Sequence, residues 1–538
     1  MSDHRAARDV ALAPSEIPSP IPAHLGSLSE TCIASLADRF KVGVLRVLVL
    51  MGLGSLLWYY GWWLRQPGRI VSPWLALLLA MAAAYSLAQL VASWILYLAA
   101  RKRPPARAPA VPQSVDVLVT ACGEPLPLIA RCVSAACRMR GSHETWLLDD
   151  RSDPQLERLA RGLGAHYLTR ADRKDEKAGN LNAALARTEG EILVIFDIDH
   201  VPREDFLERT LGHFDDSSVG FVQVMLTFYN EGHSFVSRAA SESSYDFYNP
   251  TSMGADRWGT PTLVGSNALI RRSALNSIGG YRPGLAEDLA TSIALHSQGW
   301  RSVYVAEPLA PGLAPTDVVG WFMQQLKWSR GVFEVLLTDL PKMFGKLRWT
   351  QRLTYASRMT HYWLGPFVAV HLLFLVALLF GGTKVARINF EQYLWHLLPF
   401  ALCSILIQRT AIHFFRHSSV PSRLLWRPMC LVVATWPVYT LAWGMAVLRL
   451  PLRFLPTPKG PTGRVKIRWV LPQMITLVLL MAAMIHSASN NGEAGAHLLL
   501  VFGVLQCIPM GVLLLLCFGS RREGDGTLPL PESVDGHE

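Results

Sequence analysis

Long apolar segments at both ends of the chain constrain its fold more than any other feature. Segments 42–64 and 72–100 are each long enough to cross the roughly 30 Å hydrocarbon core of a bilayer as a helix. Five further apolar segments follow later in the chain, at 361–382, 393–415, 428–450, 469–487 and 497–518. Lipid offers no partners to backbone N–H and C=O groups, so segments that cross it must be helical. We therefore expect pairs of transmembrane helices within 41–100, 361–415 and 469–518.

Basic loops decide how the segment 426–450 is placed. Residues 416–427 and 449–468 are rich in Arg and Lys, whereas residues 469–520 contain neither. Basic loops tend to face the cytoplasm, so a segment that begins and ends beside two of them does not cross the bilayer. The segment 426–450 is therefore predicted to be an interfacial helix, with a seventh span as the alternative. The resulting prediction is six spans, two before and four after a cytoplasmic domain.

Composition and the chain ends narrow the class of protein. With 51% hydrophobic residues, the chain is too apolar for an ordinary soluble protein. The net charge is +10, and basic residues concentrate beside apolar segments, as at 101–103, which indicates a lipid bilayer rather than nucleic acid as the partner. Residues 1–40 are rich in Pro, Ser and Ala and are predicted to be a disordered cytoplasmic tail rather than a signal peptide. Residues 519–538 are predicted to be a C-terminal tail.

The residues between the two groups of apolar segments have a different pattern. Short β-rich runs alternate with helical stretches, and the predicted strands are 115–120, 145–148, 166–168, 191–196, 220–223 and 302–305. Strands separated by helices imply a mostly parallel sheet with crossover connections. The predicted fold class is therefore a cytoplasmic α/β domain over 113–345, joined to an α-helical transmembrane channel of about six spans with interfacial helices. Ligands of such sheets bind at the carboxyl ends of the strands.

Two aspartates follow one of these strands at the point where it ends. Asp197 and Asp199 come after an apolar run, and side chains two residues apart on a strand point the same way. Paired carboxylates are hard oxygen ligands, which suit Mg²⁺ or Mn²⁺ carrying a diphosphate. A charged turn after a strand is the alternative for a lone pair of this kind. A second acidic pair, Asp149 and Asp150, ends another predicted strand.

A series of polar motifs runs through the domain in a fixed order. The motifs are 120–125 (TACGEP), 147–150 (LLDD), 167–170 (YLTR), 177–182 (KAGNLN), 197–200 (DIDH), 287–288 (ED) and 324–328 (QQLKW). Together they resemble the family 2 glycosyltransferases, specifically the membrane-embedded processive branch that includes bacterial cellulose, curdlan, chitin and hyaluronan synthases. The string 197–202 (DIDHVP) looks most like cellulose synthase. The resemblance implies a GT-A-like domain and a channel for a polymer.

The resemblance also extends beyond the domain. Residues 454–460 (FLPTPKG) resemble the mobile gating loop of the family, F-x-V-T-x-K, with Phe454, Thr457 and Lys459 at its positions. The gating loop is accordingly expected within 451–466.

The resemblance implies roles for the acidic residues. Asp288 matches the catalytic base of an inverting transfer, Asp199 matches a metal ligand, and Asp197 is expected to contact the diphosphate directly or through the ion. Asp288 precedes a helical pattern, and a helix N-terminus would tend to keep its carboxylate ionised, as a base requires. The alternative is that Glu287 and Asp288 merely cap that helix, which is compatible with catalysis.

The resemblance implies a pocket for the nucleotide as well. The residues that match it are Thr120, Glu124, Asp149, Asp150, Tyr167, Arg170, Lys177 and Asp197. Asp149 and Asp150 are expected to meet the uracil and ribose. Lys177 is expected to lie against the nucleotide, with a solvated surface lysine as the alternative.

The string 324–328 resembles the QxxRW motif, in which the tryptophan stacks on the acceptor sugar. Gln324, Lys327 and Trp328 match it, with Glu287 nearby in the acceptor region. The C–H faces of a sugar ring pack well on an indole, although Trp328 as an ordinary interfacial anchor is the alternative. Lys327 replaces the usual arginine, so it keeps the charge for the leaving diphosphate but loses the bidentate fork.

The implied function is that of an inverting processive glycosyltransferase in the bacterial inner membrane. It would polymerise glucose from UDP-glucose into a β-glucan and translocate the product, using Mg²⁺ or Mn²⁺. The sequence departs from the family pattern at 221–225 (FVQVM, for FxQTP), at Ala286 (for Thr) and at Gln325, positions where linkage and acceptor geometry are set. A UDP-N-acetylglucosamine polymerase or a β-1,3 or mixed-linkage glucan synthase is therefore the first alternative. A non-catalytic membrane scaffold or exporter is the alternative from another class.

The expected partners follow from the same resemblance. They are a UDP-sugar donor, a polysaccharide acceptor, the lipid bilayer and periplasmic or outer-membrane accessory subunits. The 18 residues after Ser520 are too few for a PilZ domain, so regulation by cyclic di-GMP in cis is not expected.

Overall fold

An α/β domain lies between two groups of apolar helices. The computed structural model describes residues 23–65, 72–381, 389–418, 425–452, 458–460, 465–490 and 494–519. The strands are β1 Val115–Ala121, β2 Glu144–Asp149, β3 His166–Thr169, β4 Ile192–Asp197, β5 Val219–Val224, β6 Ala268–Arg271 and β7 Arg301–Val305. The α-helices are α1 Ala23–Leu64, α2 Pro73–Ala99, α3 Leu126–Cys137, α4 Pro154–Gly162, α5 Glu176–Leu185, α6 Phe235–Asp246, α7 Ser252–Arg257, α8 Arg272–Ser277, α9 Glu287–Ser297, α10 Val318–Met343, α11 Trp349–Thr360, α12 Leu364–Gly381, α13 Phe390–Phe415, α14 Trp426–Ala434, α15 Trp436–Val447, α16 Leu471–Asn490 and α17 Ala494–Phe518.

The strands form one mostly parallel sheet in the order β3-β2-β1-β4-β6-β5-β7. Strand β6 is antiparallel to both of its neighbours, and the other pairs are parallel. The register places Thr120 opposite Asp197 and Ala121 opposite Asp149. The polar residues that follow β1, β2 and β4 therefore meet at one edge of the sheet, as the parallel pattern requires.

Alternating side chains bury both faces of the central strands. Val117 and Val119 pack on one face with residues of α3 and α4, whereas Leu118 packs on the other face with residues of α5, α8 and α9. This alternation follows from the period of two along a strand. Burial of both faces explains why the β1 and β4 sequences are almost continuously apolar.

Strand β6 is the element that the sequence prediction missed. It has four residues and follows Gly265, whose φ of +93° marks a turn. Its antiparallel pairing with β4 and β5 is a long-range contact that no local pattern encodes. The predicted fold class, a mostly parallel α/β domain with about six apolar spans, is nevertheless confirmed.

Six helical segments in the described part of the chain are long and apolar enough to cross a membrane. They are Asp38–Leu64, Ala76–Ala99, Trp349–Gly381, Glu391–Phe415, Leu471–Ser489 and His497–Phe518. The prediction of a disordered tail over 1–40 is wrong for residues 23–40, because α1 begins at Ala23. The Ala, Leu and Ser residues of this stretch are compatible with a helix that continues into the first span. Residues 1–22 lie outside the described part of the chain.

The segment predicted to lie at the interface consists of two helices rather than one. Helices α14 and α15 meet at a bend of 44°, and the pair counts as a seventh apolar segment only if it is taken as one span. Three hydrogen bonds tie this pair to α10, from Trp321 to Thr435 (2.9 Å), from Tyr439 to Gln325 (2.9 Å) and from Arg330 to the carbonyl of Leu450 (3.0 Å). The helix that carries the 324–328 motif is thus fixed to the apolar helices.

Candidate active site

Three candidate metal ligands meet at the carboxyl end of β4. Asp197 is the last residue of that strand, and the amide of His200 donates to the Asp197 carbonyl (3.0 Å), which closes a turn through Asp199. One side-chain ligand atom from each residue lies within 4.8 Å of the other two. Carboxylate oxygens suit Mg²⁺ and Mn²⁺. The cluster therefore has the donor chemistry that the sequence predicts for a divalent cation.

His200 is a member of this cluster to which sequence reasoning gave no role. Its ring is buried, and neither ring nitrogen has a hydrogen-bond partner among the described residues. The Nδ1 atom lies 3.7 Å from Asp199 Oδ1, beyond hydrogen-bonding distance. Buried polar groups are normally paired, so an unpaired imidazole beside two carboxylates is an observation that fits a bound cation. Its position directly after the DxD pair was the signal available in the sequence.

Two lysines neutralise the aspartate pair. Lys177 forms an ion pair with Asp197 and donates to the carbonyl of Gly265 (2.7 Å), while Lys459 Nζ lies 2.7 Å from Asp199 Oδ2. Burial opposes ionisation of Asp197, but the Lys177 ammonium holds the pKa of that carboxyl below its usual value. Burial opposes ionisation of Asp199 too, and Lys459 and His200 hold its pKa well below the usual range. Both carboxylates are therefore ionised at neutral pH.

Asp288 lies in the first turn of α9 and faces the same cluster. Gly265 has no side chain, but an ideal Cβ built on it would lie 3.6 Å from Asp288 Oδ2 and 3.8 Å from Lys177 Nζ. Both side chains therefore approach the same glycine. The structure thus brings Asp197 and Asp288 to Lys177, with Asp199 beside Asp197. Asp288 Oδ1 accepts from the Leu289 amide (2.7 Å), which orients the carboxylate within the helix N-terminus.

The pKa of Asp288 differs from the expectation based on its helix alone. Burial raises the pKa of Asp288, and the charge of Arg358, the Leu289 amide, Lys177 and Lys327 oppose that rise. Burial and the charge of Asp288 also raise the pKa of Glu287. Desolvation therefore outweighs the helix terminus, and the surrounding cations are what keep this acidic pair available as a base.

Arg358 is a second residue that sequence reasoning missed. It lies near the end of α11, far along the chain from the acidic motifs, and its guanidinium stacks over the ring of Phe247 at 4.6 Å. Among the groups that lower the pKa of Asp288, its charge is the largest. Arg358 therefore tunes the carboxyl without belonging to any of the motifs.

The pH dependence of turnover is expected to respond to Arg358. The folded-state pKa of Asp288 is already raised, so turnover should fall as the pH drops through that value and the carboxyl becomes protonated. Arg358→Met removes the main opposing charge, so the acid limb of the kcat profile should move to higher pH. Arg352→Met on the same helix is the matched control and should leave the limb in place. An unchanged acid limb in Arg358→Met would contradict this tuning role.

Four of the predicted nucleotide residues lie at β2 and β3, namely Asp149, Asp150, Tyr167 and Arg170. Asp149 is fully buried and accepts from the amides of Arg151 (2.8 Å) and Asp153 (2.6 Å) and from the Tyr167 hydroxyl (2.9 Å). Through these hydrogen bonds, Asp149 stabilises the loop before α4. The sequence assigned it to the nucleotide and gave no sign that backbone amides would occupy its oxygens.

Arg170 also has a structural role in this pocket. Its guanidinium pairs with both oxygens of Asp150 (2.6 and 3.1 Å) and donates to the carbonyls of Lys174 (2.6 Å) and Glu176 (2.7 Å). Glu176 and its neighbour Asp175 have positive φ values of 47° and 60°, a conformation that costs energy for residues other than glycine. Arg170 thus stabilises the strained turn that presents Lys177.

Thr120 and Glu124 lie at the end of β1. The Thr120 hydroxyl is 3.4 Å from Asp197 Oδ1, and Glu124 accepts from the amide of Cys122 (2.6 Å). Both therefore lie at the carboxyl-end edge of the sheet, beside Asp197. Of the gating-loop residues, Lys459 lies at Asp199, while Phe454 and Thr457 lie outside the described residues.

Helix α10 presents the predicted acceptor residues. Trp328 is 41% exposed although its helix is mostly buried, and Gln324 and Lys327 are half-buried beside it. The charge of Lys327 lowers the pKa of Glu287 and Asp288, so its ammonium faces the acidic pair. Gln325 faces away and accepts from Tyr439. Gly331, one turn further along α10, packs against Ala286 at the start of α9, so the exposed indole lies on the helix that faces the acidic pair. Such an indole is a suitable platform for a sugar ring.

Trp328→Ala is expected to impair acceptor use more than donor use. Loss of the stacking surface should lower polymer formation about tenfold, while hydrolysis of the donor persists. The measurement is incorporation of labelled sugar into polymer against release of UDP. Trp349→Ala, which removes an exposed indole from α11, is the matched control. Equal loss of both activities in Trp328→Ala would argue against an acceptor platform.

The sheet and its acidic edge define a GT-A-like glycosyltransferase domain. Residues 116–279 match the family model for glycosyl transferase family 2. Residues 273–436 match the family model for cellulose synthase. Two consecutive stretches of the chain thus match these two family models, which confirms the resemblance seen in the motifs.

Curated relatives at about 30% identity carry the name of cellulose synthase. The cellulose synthase catalytic subunit [UDP-forming] of Xanthomonas axonopodis pv. citri (strain 306) is 32% identical over 355 residues, 62% of this chain and 48% of that protein. Cellulose synthase 1 catalytic subunit [UDP-forming] of Komagataeibacter xylinus is 30% identical over 323 residues, 58% of this chain and 43% of that protein. The chain thus spans less than half the length of these relatives.

A solved mannosyltransferase from Pyrobaculum calidifontis, in complex with GDP-Man and Mn²⁺, is also similar. It is 18% identical with a TM-score of 0.47, and the match covers 70% of this chain and 99% of that one.

Proposed function

We propose that the protein is an inverting, processive membrane glycosyltransferase that uses a UDP-sugar. The observation that carries this proposal is the convergence of Asp197, Asp199, His200 and Asp288 around Lys177, beside the exposed indole of Trp328. A base, a candidate cation site and an acceptor platform at one sheet edge are the groups that glycosyl transfer needs. Their assembly also argues against a scaffold or exporter that has lost its chemistry.

The residues have separate roles in the proposed reaction. Asp288 takes the proton from an acceptor hydroxyl, whose oxygen bonds to the anomeric carbon as the bond to the diphosphate breaks and UDP leaves. Lys327 faces this region and supplies positive charge for the leaving group. Trp328 holds the acceptor ring. Asp150 and Tyr167 line the pocket proposed for the nucleoside.

Asp197, Asp199 and His200 would hold the divalent cation. Mg²⁺ or Mn²⁺ would supply positive charge to the diphosphate when bound. The ionised carboxylates and the unpaired buried imidazole fit such an ion. Lys177, paired with Asp197, adds a fixed positive charge at the same edge.

The proposed donor is UDP-glucose and the proposed product is a β-glucan. The names of the relatives support this choice, since they are UDP-forming cellulose synthase subunits. Gln325, one of the departures that favoured other polymers, is buried and accepts from Tyr439. It is therefore not placed to select an acetamido sugar.

The proposed location is the bacterial inner membrane with the catalytic domain in the cytoplasm. Six apolar helical segments and the basic loops beside them support this orientation. In this arrangement the polymer would pass among the apolar helices next to α10, and accessory subunits outside the membrane would receive it.

The proposal is tested by donor competition with the purified full chain in lipid nanodiscs. Labelled UDP-glucose is supplied with Mn²⁺ or Mg²⁺, and unlabelled UDP-sugars are added in excess. Unlabelled UDP-glucose is expected to suppress incorporation, whereas UDP-N-acetylglucosamine is expected to suppress it weakly. Stronger suppression by UDP-N-acetylglucosamine would show that this sugar, and not UDP-glucose, is the donor. If no UDP-sugar gave incorporation or UDP release, the proposal that the protein is an enzyme would be wrong.

A further inference from the structure

Lys459 places an ammonium group on Asp199, one of the two carboxylates of the candidate cation site. Its Nζ lies 2.7 Å from Asp199 Oδ2, and the two side chains are only 19% and 7% exposed. Lys459 comes from the part of the chain beyond α15, whereas Asp199 follows β4 in the catalytic domain. The contact is therefore long-range and buried, unlike a flexible surface ion pair.

The carboxylates of Asp197 and Asp199 are each paired with an ammonium group. Lys177 pairs with Asp197 and Lys459 pairs with Asp199, so two ammonium groups face two carboxylates. A buried carboxylate without a partner is costly, and each lysine removes that cost. The two pairs are nevertheless not equivalent, since Lys177 also donates to the Gly265 carbonyl and belongs to the catalytic domain.

A divalent cation on Asp199 would compete with the Lys459 ammonium, which already occupies Oδ2. Mg²⁺ binds oxygen ligands at about 2.0–2.1 Å, so an ion on Asp199 would lie next to an ammonium group at hydrogen-bonding distance. Two positive groups so close in a poorly solvated site repel strongly. Occupation of Asp199 by one of them therefore weakens binding of the other.

We propose that Lys459 is a tethered competitor for the cation site, which holds Asp199 in the donor-free protein and opposes the binding of a divalent cation there. This inference rests on the proposed function only in taking Asp199 as a cation ligand. Its consequence is a weak affinity for free cations when no nucleotide is present. The site is thereby kept from filling before a donor arrives.

The test measures Mn²⁺ binding to the purified full chain in nanodiscs without nucleotide. Binding is detected as the loss of the electron paramagnetic resonance signal of free Mn²⁺. Lys459→Met is expected to bind Mn²⁺ about 10-fold to 100-fold more tightly than the parent chain, because a hydrogen-bonded ammonium no longer competes. Lys459→Arg keeps the charge and is expected to bind as weakly as the parent. Lys466→Met, an exposed lysine nearby in the chain, is the matched control and should change nothing.

A double substitution separates competition from other effects of Lys459→Met. In the Asp199→Asn background, Lys459→Met should no longer tighten Mn²⁺ binding, since the shared carboxylate is absent. Equal or weaker binding by Lys459→Met, in protein that melts at the parent temperature, would overturn the inference while leaving the proposed function intact. No Mn²⁺ binding by any variant, with or without UDP, would overturn both.

Discussion

Asp288→Asn is expected to abolish sugar transfer while UDP binding survives. The substitution keeps the shape of the side chain and its hydrogen bond with the Leu289 amide but removes the group that takes the acceptor proton. Loss of a positioned general base lowers kcat by about 10²–10⁴-fold. The measurement is labelled-sugar incorporation beside equilibrium binding of UDP.

A matched control makes the Asp288 result specific. Asp216→Asn changes an exposed aspartate that pairs with Arg301 near the start of β5, away from the acidic edge, and should leave turnover unchanged. Full turnover by Asp288→Asn would remove Asp288 from the role of base. Loss of UDP binding together with turnover would show instead that the carboxylate holds the donor.

Asp199→Asn is the second substitution with a large expected effect. Without the carboxylate charge, the candidate cation site keeps Asp197 and His200 only. We expect kcat to fall by about 10²–10³-fold, since a bound cation contributes several kcal/mol of charge stabilisation. UDP affinity should also lose its dependence on Mn²⁺. Both quantities are measured at matched Mn²⁺ concentrations with and without a chelator.

The control for Asp199 is an acidic residue a few positions further along the chain. Asp205→Asn removes a surface partner of Arg203 and should keep both turnover and the Mn²⁺ dependence of UDP binding. If Asp199→Asn still bound UDP more tightly with Mn²⁺ than without it, the cation would have to lie elsewhere.

The edge of the sheet was predictable from the sequence because its signals are local. An apolar run that ends in carboxylates identifies the carboxyl end of a strand, and parallel pairing then brings such ends together. The register of β1 with β2 and β4 shows this directly for Thr120, Asp149 and Asp197. The apolar helices were predictable for the same reason, since length and composition suffice.

Two contacts at the site that the sequence did not reveal are long-range. Arg358 reaches the Asp288 region from α11, and Lys459 reaches Asp199 from beyond α15. The sequence around Arg358 or Lys459 has no pattern that predicts these contacts. Asp149 illustrates a different limit, because backbone amides that occupy its oxygens are set by loop geometry rather than by residue type.

Linkage analysis of the product made in vitro shows whether the chain is a cation-dependent polymerase of glucose. The purified full chain is supplied with UDP-glucose and Mg²⁺ or Mn²⁺, and the labelled product is digested with linkage-specific glucanases. We expect release of UDP that depends on the cation, together with a β-linked glucan too long to arise from a single transfer. Failure to transfer from any UDP-sugar, or transfer unaffected by a chelator, would contradict this expectation.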